Sequence, residues 1–212
     1  DPGEKLYGLA ARQHRLSLSV RMLARGYLDA VFVHSDRGGT GKTYTVLRTL
    51  ADEGVCPVTV NSHVTPLELF RVFYENRDGQ TLFFDDVDGM FSSMAHLGLL
   101  RSALFGEPRL VTYLSSKKND GLPQQFEFTS RVIFCVNKIP QNNAAFQAVL
   151  TRCECIELSA SEEELMAMMR NIVSDGIEEL PAELCNEVLD FVAENHPKRL
   201  LSMRVLSQSL NK

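Results

Sequence analysis

The chain has 212 residues, 44% hydrophobic and 23% charged, with a formal net charge of −5. That length carries one sizeable core, or a main domain with a small satellite. The ordinary composition excludes a low-complexity chain, and no apolar run reaches the roughly 18 residues of a membrane span.

In chain order, apolar and basic positions alternate at helical spacing from Leu6 to Arg25, with Arg12, Arg15, Arg21 and Arg25 on the polar side and Gly26 as terminator. The apolar strand Ala30–His34 leads into a glycine-rich turn and a helix over Lys42–Glu53. Pro57–Val60 reads as a strand, and Thr65–Glu75 as a helix opened by a threonine cap with Glu68 three residues on. Thr81–Phe84 is a fully apolar strand ending in two carboxylates, followed by a helix around Met94–Phe105. Arg109–Ser115 and Gln125–Ser130 alternate in strand fashion about a polar segment, which predicts a hairpin at about 109–130. Arg131–Val136 and Cys155–Leu158 are further strands, and only helical patterns follow, at roughly 161–174, 181–195 and 201–211.

Nearly continuous Val, Ile and Phe strands alternating with helices predict an α/β fold, a parallel sheet sandwiched by helices. Residues 1–160 form the expected α/β core and residues 161–212 a small all-helical appendage. Charge divides the same way: 17 basic and 17 acidic side chains before residue 161, 5 and 10 after it. No unit is basic enough to force a nucleic-acid partner.

Cys56, Cys135, Cys153, Cys155 and Cys185 form no CxxC pair and no zinc-ligand spacing. They read as small buried hydrophobes of a reducing compartment. Asp1-Pro2-Gly3 lacks the basic flank and apolar stretch of a secretion signal, so a cytoplasmic location without a membrane partner is expected. The five histidines suggest no metal site or nucleophile, although His34 ends the first strand beside the glycine-rich turn.

That turn, Asp36-Arg37-Gly38-Gly39-Thr40-Gly41-Lys42-Thr43, follows the GxxxxGK[ST] phosphate-loop pattern except that Asp36 stands at its first glycine. Glycines let backbone N–H groups curl around phosphate oxygens, and the next helix aims its positive end at the same anion. Gly38, Gly39, Thr40, Gly41, Lys42 and Thr43 are the candidate ATP-binding residues, with the Thr43 hydroxyl also directed to Mg²⁺. The other half of a metal site is Asp85-Asp86: Asp85 for Mg²⁺, and Asp86 for polarising the attacking water. A GTPase is the competing reading, since Asp86-Val87-Asp88-Gly89 matches DxxG. Its guanine-reading NKxD motif, however, runs Asn137-Lys138-Ile139-Pro140, without the carboxylate.

A phosphate loop, an acidic strand end and then a buried strand ending in Asn137 resemble the AAA+ ATPases. The resemblance implies that Asn137 is sensor 1, positioning the lytic water. Val149-Leu150-Thr151-Arg152-Cys153 is similar to the Ser-Arg-Cys motif of clamp-loader members, implying that Arg152 is an arginine finger reaching a neighbouring subunit's γ-phosphate in a homo-oligomer. The helical tail, residues 161–212, resembles the AAA+ lid, and within it Leu201–Leu206 is similar to the sensor 2 segment, placing Arg204 over the nucleotide, with Arg199 as competitor. Helicase-like members carry a nucleic-acid-touching hairpin before sensor 1, where this chain has Lys117 and Lys118; a solvated turn is the alternative. The expected function is ATP-driven remodelling or loading of DNA or a DNA-bound protein. The alternatives are a slow or non-catalytic assembly switch and a monomeric P-loop kinase. Many relatives have Glu where this chain has Asp86, which implies slower turnover.

Overall fold

A computed structural model describes residues 8–36, 38–61, 63–114, 121–140, 142–174, 176, 180–195, 202 and 204. The elements are α1 (Gly8–Ala24), β1 (Ala30–His34), α2 (Lys42–Asp52), β2 (Val58–Val60), α3 (Pro66–Glu75), β3 (Thr81–Asp85), a 3-10 turn (Asp88–Ser92) and α4 (Met94–Ala103). They continue with β4 (Leu110–Thr112), β5 (Gln125–Glu127), β6 (Arg131–Val136), α5 (Ala144–Leu150), β7 (Glu154–Glu157), α6 (Glu162–Val173) and α7 (Ala182–Asn195).

Five strands form one parallel sheet in the order β2-β3-β6-β1-β7. Its central strands are buried on both faces, and alternate side chains enter two different apolar clusters. Ala30, Phe32, Leu82, Phe84, Val132, Phe134 and Val136 face α3, α4 and α5. Val31, Val33, Phe83, Ile133 and Cys135 face α1, α2, α6 and α7. The two-residue period of a strand makes each three-residue stretch serve both sides, which explains why these strands read as unbroken apolar runs. The fold is the expected parallel α/β sandwich.

The antiparallel pair β4–β5 stands outside this sheet, with Leu110 opposite Glu127 and Thr112 opposite Gln125. It is shorter than the alternating pattern suggested. Only Val111 and Phe126 are buried within it, so one side-chain pair anchors the hairpin base. Lys117 and Lys118 lie outside the described residues, as do Arg199 and, except for Ser202 and Arg204, the helix expected at 201–211.

Local chemistry fixes the helix starts. Thr65 Oγ1 accepts from Glu68 N at 3.2 Å, and Asn143 Oδ1 accepts from Ala145 N and Phe146 N, both at 3.1 Å. Ser161 and Glu164 form a reciprocal capping box on α6. Leu165, Met169, Val173, Cys185, Leu189 and Val192 of α6 and α7 pack in the same cluster as Leu9, Leu16, Val20 and Leu23 of α1. Among the described residues, no helix is long and apolar enough to cross a membrane.

Candidate functional site

The strand order decides what meets at the carboxyl edge of the sheet. β6 runs between β1 and β3, so the residue after it, Asn137, lies between the glycine-rich loop following β1 and the carboxylates ending β3. Topological switch points of this kind are where open α/β sheets hold ligands.

In the loop, Gly39 and Gly41 have φ of 79° and 86°, the left-handed region that other side chains avoid. A Cβ on Gly39 would collide with Ser202, and one on Gly41 would approach Gln13 Nε2 to 2.9 Å. Gly41 is the N-cap of α2 and makes no side-chain cap hydrogen bond. The helix therefore starts on a glycine that leaves its positive end open to an anion. Thr40 is fully buried, and its Oγ1 has no hydrogen-bond partner among the described residues. Gln13 of α1 braces the loop from behind, donating from Nε2 to the Thr40 carbonyl at 3.1 Å.

Lys42 is 6% exposed. Its ammonium donates to Ser35 Oγ at 2.5 Å and to Asn137 Oδ1 at 2.7 Å. Burial pushes its pKa down, while Asp85, Asp86 and Asp88 act to hold it up. Thr43 Oγ1 donates to both oxygens of Asp85, at 3.0 and 3.1 Å. Asp85 is half-buried, and burial raises its pKa against the Thr43 hydrogen bond and the charges of Lys42 and Arg204.

Asp86 is exposed and adopts φ 54°, an uncommon conformation for a non-glycine residue. Its backbone N–H bonds the Cys135 carbonyl at 3.0 Å. Asn137 Nδ2 donates to Asp86 Oδ1 at 2.8 Å. Asn137 is therefore bonded through its side chain to the Lys42 ammonium on one side and the Asp86 carboxylate on the other. Its backbone N–H is held by Asp88 Oδ1 at 3.1 Å.

Of the residues singled out from sequence, Lys42, Thr43, Asp85, Asp86 and Asn137 thus form one connected cluster, with Gly38–Gly41 beside it. Arg204 is exposed and close enough for its charge to act on Asp85. Arg152 is held elsewhere: its Nη1 donates to the Ala148 carbonyl, and its guanidinium lies over the Phe105 ring at 4.8 Å. Asp36 is exposed and borders an open cleft of about 500 Å³ shared with Arg12, Glu157 and Glu164. His34 is half-buried, and burial lowers its pKa.

Sequence reasoning missed Ser35, Gln13 and Asp88. Ser35 directly precedes the loop and could have been flagged by position, as could Asp88, three residues beyond Asp85. Nothing in the sequence marks Gln13, since a polar residue on an amphipathic helix has no local signature.

The residues fit a magnesium–nucleoside triphosphate. A threonine hydroxyl and a carboxylate within hydrogen-bond distance are the hard oxygen donors that Mg²⁺ takes alongside phosphate. The glycine turn, the buried lysine and the Thr40 hydroxyl, which has no partner among the described residues, suit a polyphosphate. Among the described residues, no cluster of His, Cys, Asp and Glu forms another metal site.

No family model matches the chain. Over 157 residues it is 27% identical to an uncharacterized 36.7 kDa protein in the nrdC–mobD intergenic region of enterobacteria phage T4. That match takes in 66% of this chain and 48% of the phage protein, so the chain spans about half the relative's length. A solved structure of a RuvB point mutant from Thermotoga maritima superposes with a TM-score of 0.54 at 13% identity, over 97% of this chain and 70% of that one. The likeness establishes a shared P-loop α/β fold.

Proposed function

We propose that this chain is an AAA+ ATPase that hydrolyses Mg-ATP in a homo-oligomer to remodel or load DNA or a DNA-bound protein complex. The observation that carries it is the connected cluster Thr43–Asp85 and Lys42–Asn137–Asp86, drawn from three adjacent strand ends onto a glycine turn at a helix N-terminus. The fold shared with RuvB, an AAA+ ATPase, supports the same reading.

In this mechanism the loop N–H groups and Lys42 hold the β- and γ-phosphates. Thr43 and Asp85 would hold Mg²⁺, which supplies charge neutralisation on the phosphate oxygens. Asn137 and Asp86 position a water in line with the γ-phosphorus. As its oxygen bonds phosphorus, the bond to the leaving ADP oxygen breaks, and Asp86 accepts the water's proton. Arg152 of the neighbouring protomer stabilises the charge developing on the γ-phosphoryl oxygens, and Arg204 senses the nucleotide from the lid. The nucleic-acid partner rests on Lys117 and Lys118, which stand in sequence between β4 and β5 and would contact phosphates.

The test is steady-state ATP hydrolysis against protein concentration, with and without single-stranded and duplex DNA, for wild type and Arg152→Ala. Cooperative, DNA-stimulated activity abolished by the mutation supports the proposal. Activity flat with concentration and indifferent to Arg152→Ala sinks the shared site and leaves a monomeric kinase as the better reading.

The 2.8 Å bond from Asn137 Nδ2 to Asp86 Oδ1 favours a second reading. A short carboxylate tied to Asn137 is a weaker base than a free one, so ATP would chiefly drive assembly. Measurable hydrolysis that disappears in Asp86→Asn while ATP binding persists would remove this alternative.

A further inference from the structure

The chain has twelve phenylalanines. Ten are buried; Phe105 and Phe191 are 67% and 65% exposed. A single exposed aromatic needs no explanation, but Phe105 lies directly beneath Arg152, whose guanidinium carbon is 4.8 Å from the ring centroid. A guanidinium over an aromatic face is attracted by the ring quadrupole and stacks through its own plane.

Both sides of this pair are anchored. Leu104, just before Phe105, is buried. Gly106, just after it, has φ 122°, and a Cβ there would meet the Pro108 carbonyl oxygen at 3.0 Å, so the turn presenting the ring admits only glycine comfortably. On the other side, Arg152 follows α5, and the Cys153 thiol next to it donates to the Val149 carbonyl at 3.4 Å. Arg152 Nε is buried without a partner among the described residues, while Nη1 donates back to the Ala148 carbonyl. The guanidinium thus rests on polar contacts at the end of its own helix, the Ala148 carbonyl and Thr151 Oγ1 (3.5 Å), and on the Phe105 face.

We infer that Phe105 is a positioning residue for Arg152, keeping the guanidinium ordered and presented toward a neighbouring copy's nucleotide. The inference rests on the proposed role of Arg152 in trans. Ordering a long cationic side chain costs rotamer entropy. Where the ring has ordered it in advance, that cost does not fall on the transition state.

The experiment compares Phe105→Leu, Phe105→Tyr, Arg152→Ala and the double variant Phe105→Leu/Arg152→Ala by ATP turnover, with thermal unfolding as the folding check. Phe105→Leu is expected to lower kcat about three- to fivefold, the size of an exposed cation–π contact, with KM for ATP unchanged. Phe105→Tyr, which keeps the π face, is expected to turn over as wild type. In the Arg152→Ala background, Phe105→Leu is expected to add no further loss. Titrating Phe105→Leu protein with Asp86→Asn protein should restore activity, because the second protein lacks its own base but carries an intact Phe105–Arg152 pair.

A defect that multiplies with Arg152→Ala, that appears in KM, or that Phe105→Tyr shares would overturn the inference and leave the Arg152 role standing. An Arg152→Ala protein with unchanged kcat removes both together.

Discussion

The two faces of the sheet are packed with different materials. Against α3, α4 and α5 lie nine buried phenylalanines, among them Phe32, Phe84, Phe91, Phe134 and Phe146, whose rings meet at centroid distances of 5.4–5.9 Å, mostly edge-on or tilted. Against α1, α2, α6 and α7, Phe83 is the one phenylalanine in a cluster made otherwise mainly of Leu, Val and Ile. Interlocked rings couple their neighbours in orientation as well as in volume, whereas aliphatic side chains hold elements together with less directional demand. The aromatic face backs the elements that carry Phe105 and Arg152. The aliphatic face joins α2 to α1, α6 and α7, where Gln13 touches the glycine-rich loop and Arg12 pairs with Glu164 at 2.8 Å.

The largest test of this contrast is Phe134→Ala, which removes a fully buried ring touching Phe32, Phe84 and Phe91. It is expected to cost about 3–5 kcal/mol in urea unfolding. Leu16→Ala, equally buried on the other face, is expected to cost about 2–4 kcal/mol. A larger loss at Leu16 than at Phe134 would break the comparison.

A smaller effect sharpens it on the functional side. Gln13→Leu removes the brace on the Thr40 carbonyl and is expected to weaken ATP binding about fivefold, the size of one net hydrogen bond, as measured by nucleotide titration. Ser161→Ala removes the cap of α6 and is expected to cost about 1 kcal/mol of stability.

The smallest is a pH effect at the α1–α6 contact. The Ser161 backbone N–H, then Arg12, hold the Glu164 carboxyl below its ordinary pKa. A carboxylate depressed in the folded state stabilises the protein above its unfolded pKa and loses that contribution as pH falls through the folded one. The stability gap between wild type and Glu164→Gln is therefore expected at neutral pH, narrowing as the solution is acidified below the ordinary carboxylate range. A gap constant with pH would mean that the capping geometry, not the charge, carries the effect.

Much of the fold was legible because its signals are local. Residues 30–33, 82–84 and 132–136 are apolar throughout because both sheet faces are covered, and Thr65 announces its helix through a hydroxyl that reaches a backbone N–H three residues on. Strand lengths were less legible. The β4–β5 pair is shorter than its alternation suggests: regular strand covers Leu110–Thr112 and Gln125–Glu127, and single backbone bonds from Tyr113 N–H to the Gln124 carbonyl and from Phe128 N–H to the Arg109 carbonyl continue it at either end. The 3-10 turn at Asp88–Ser92 carried no periodic signal.

For the site, sequence spacing was enough to single out Lys42, Thr43, Asp85 and Asp86, because a glycine turn before a helix and an acidic strand end are short motifs whose chemistry constrains neighbouring residues; Asn137 was implied only by the resemblance to AAA+ ATPases. The arrangement among them depended on strand order. Only the placement of β6 between β1 and β3 puts the Asn137 amide against both the Lys42 ammonium and the Asp86 carboxylate. Gln13 under the loop, Arg12 on Glu164 and Phe105 beneath Arg152 join residues 27, 152 and 47 positions apart. No propensity or periodicity reports such pairs, since they exist only once the apolar faces have packed and brought distant polar groups within bonding distance.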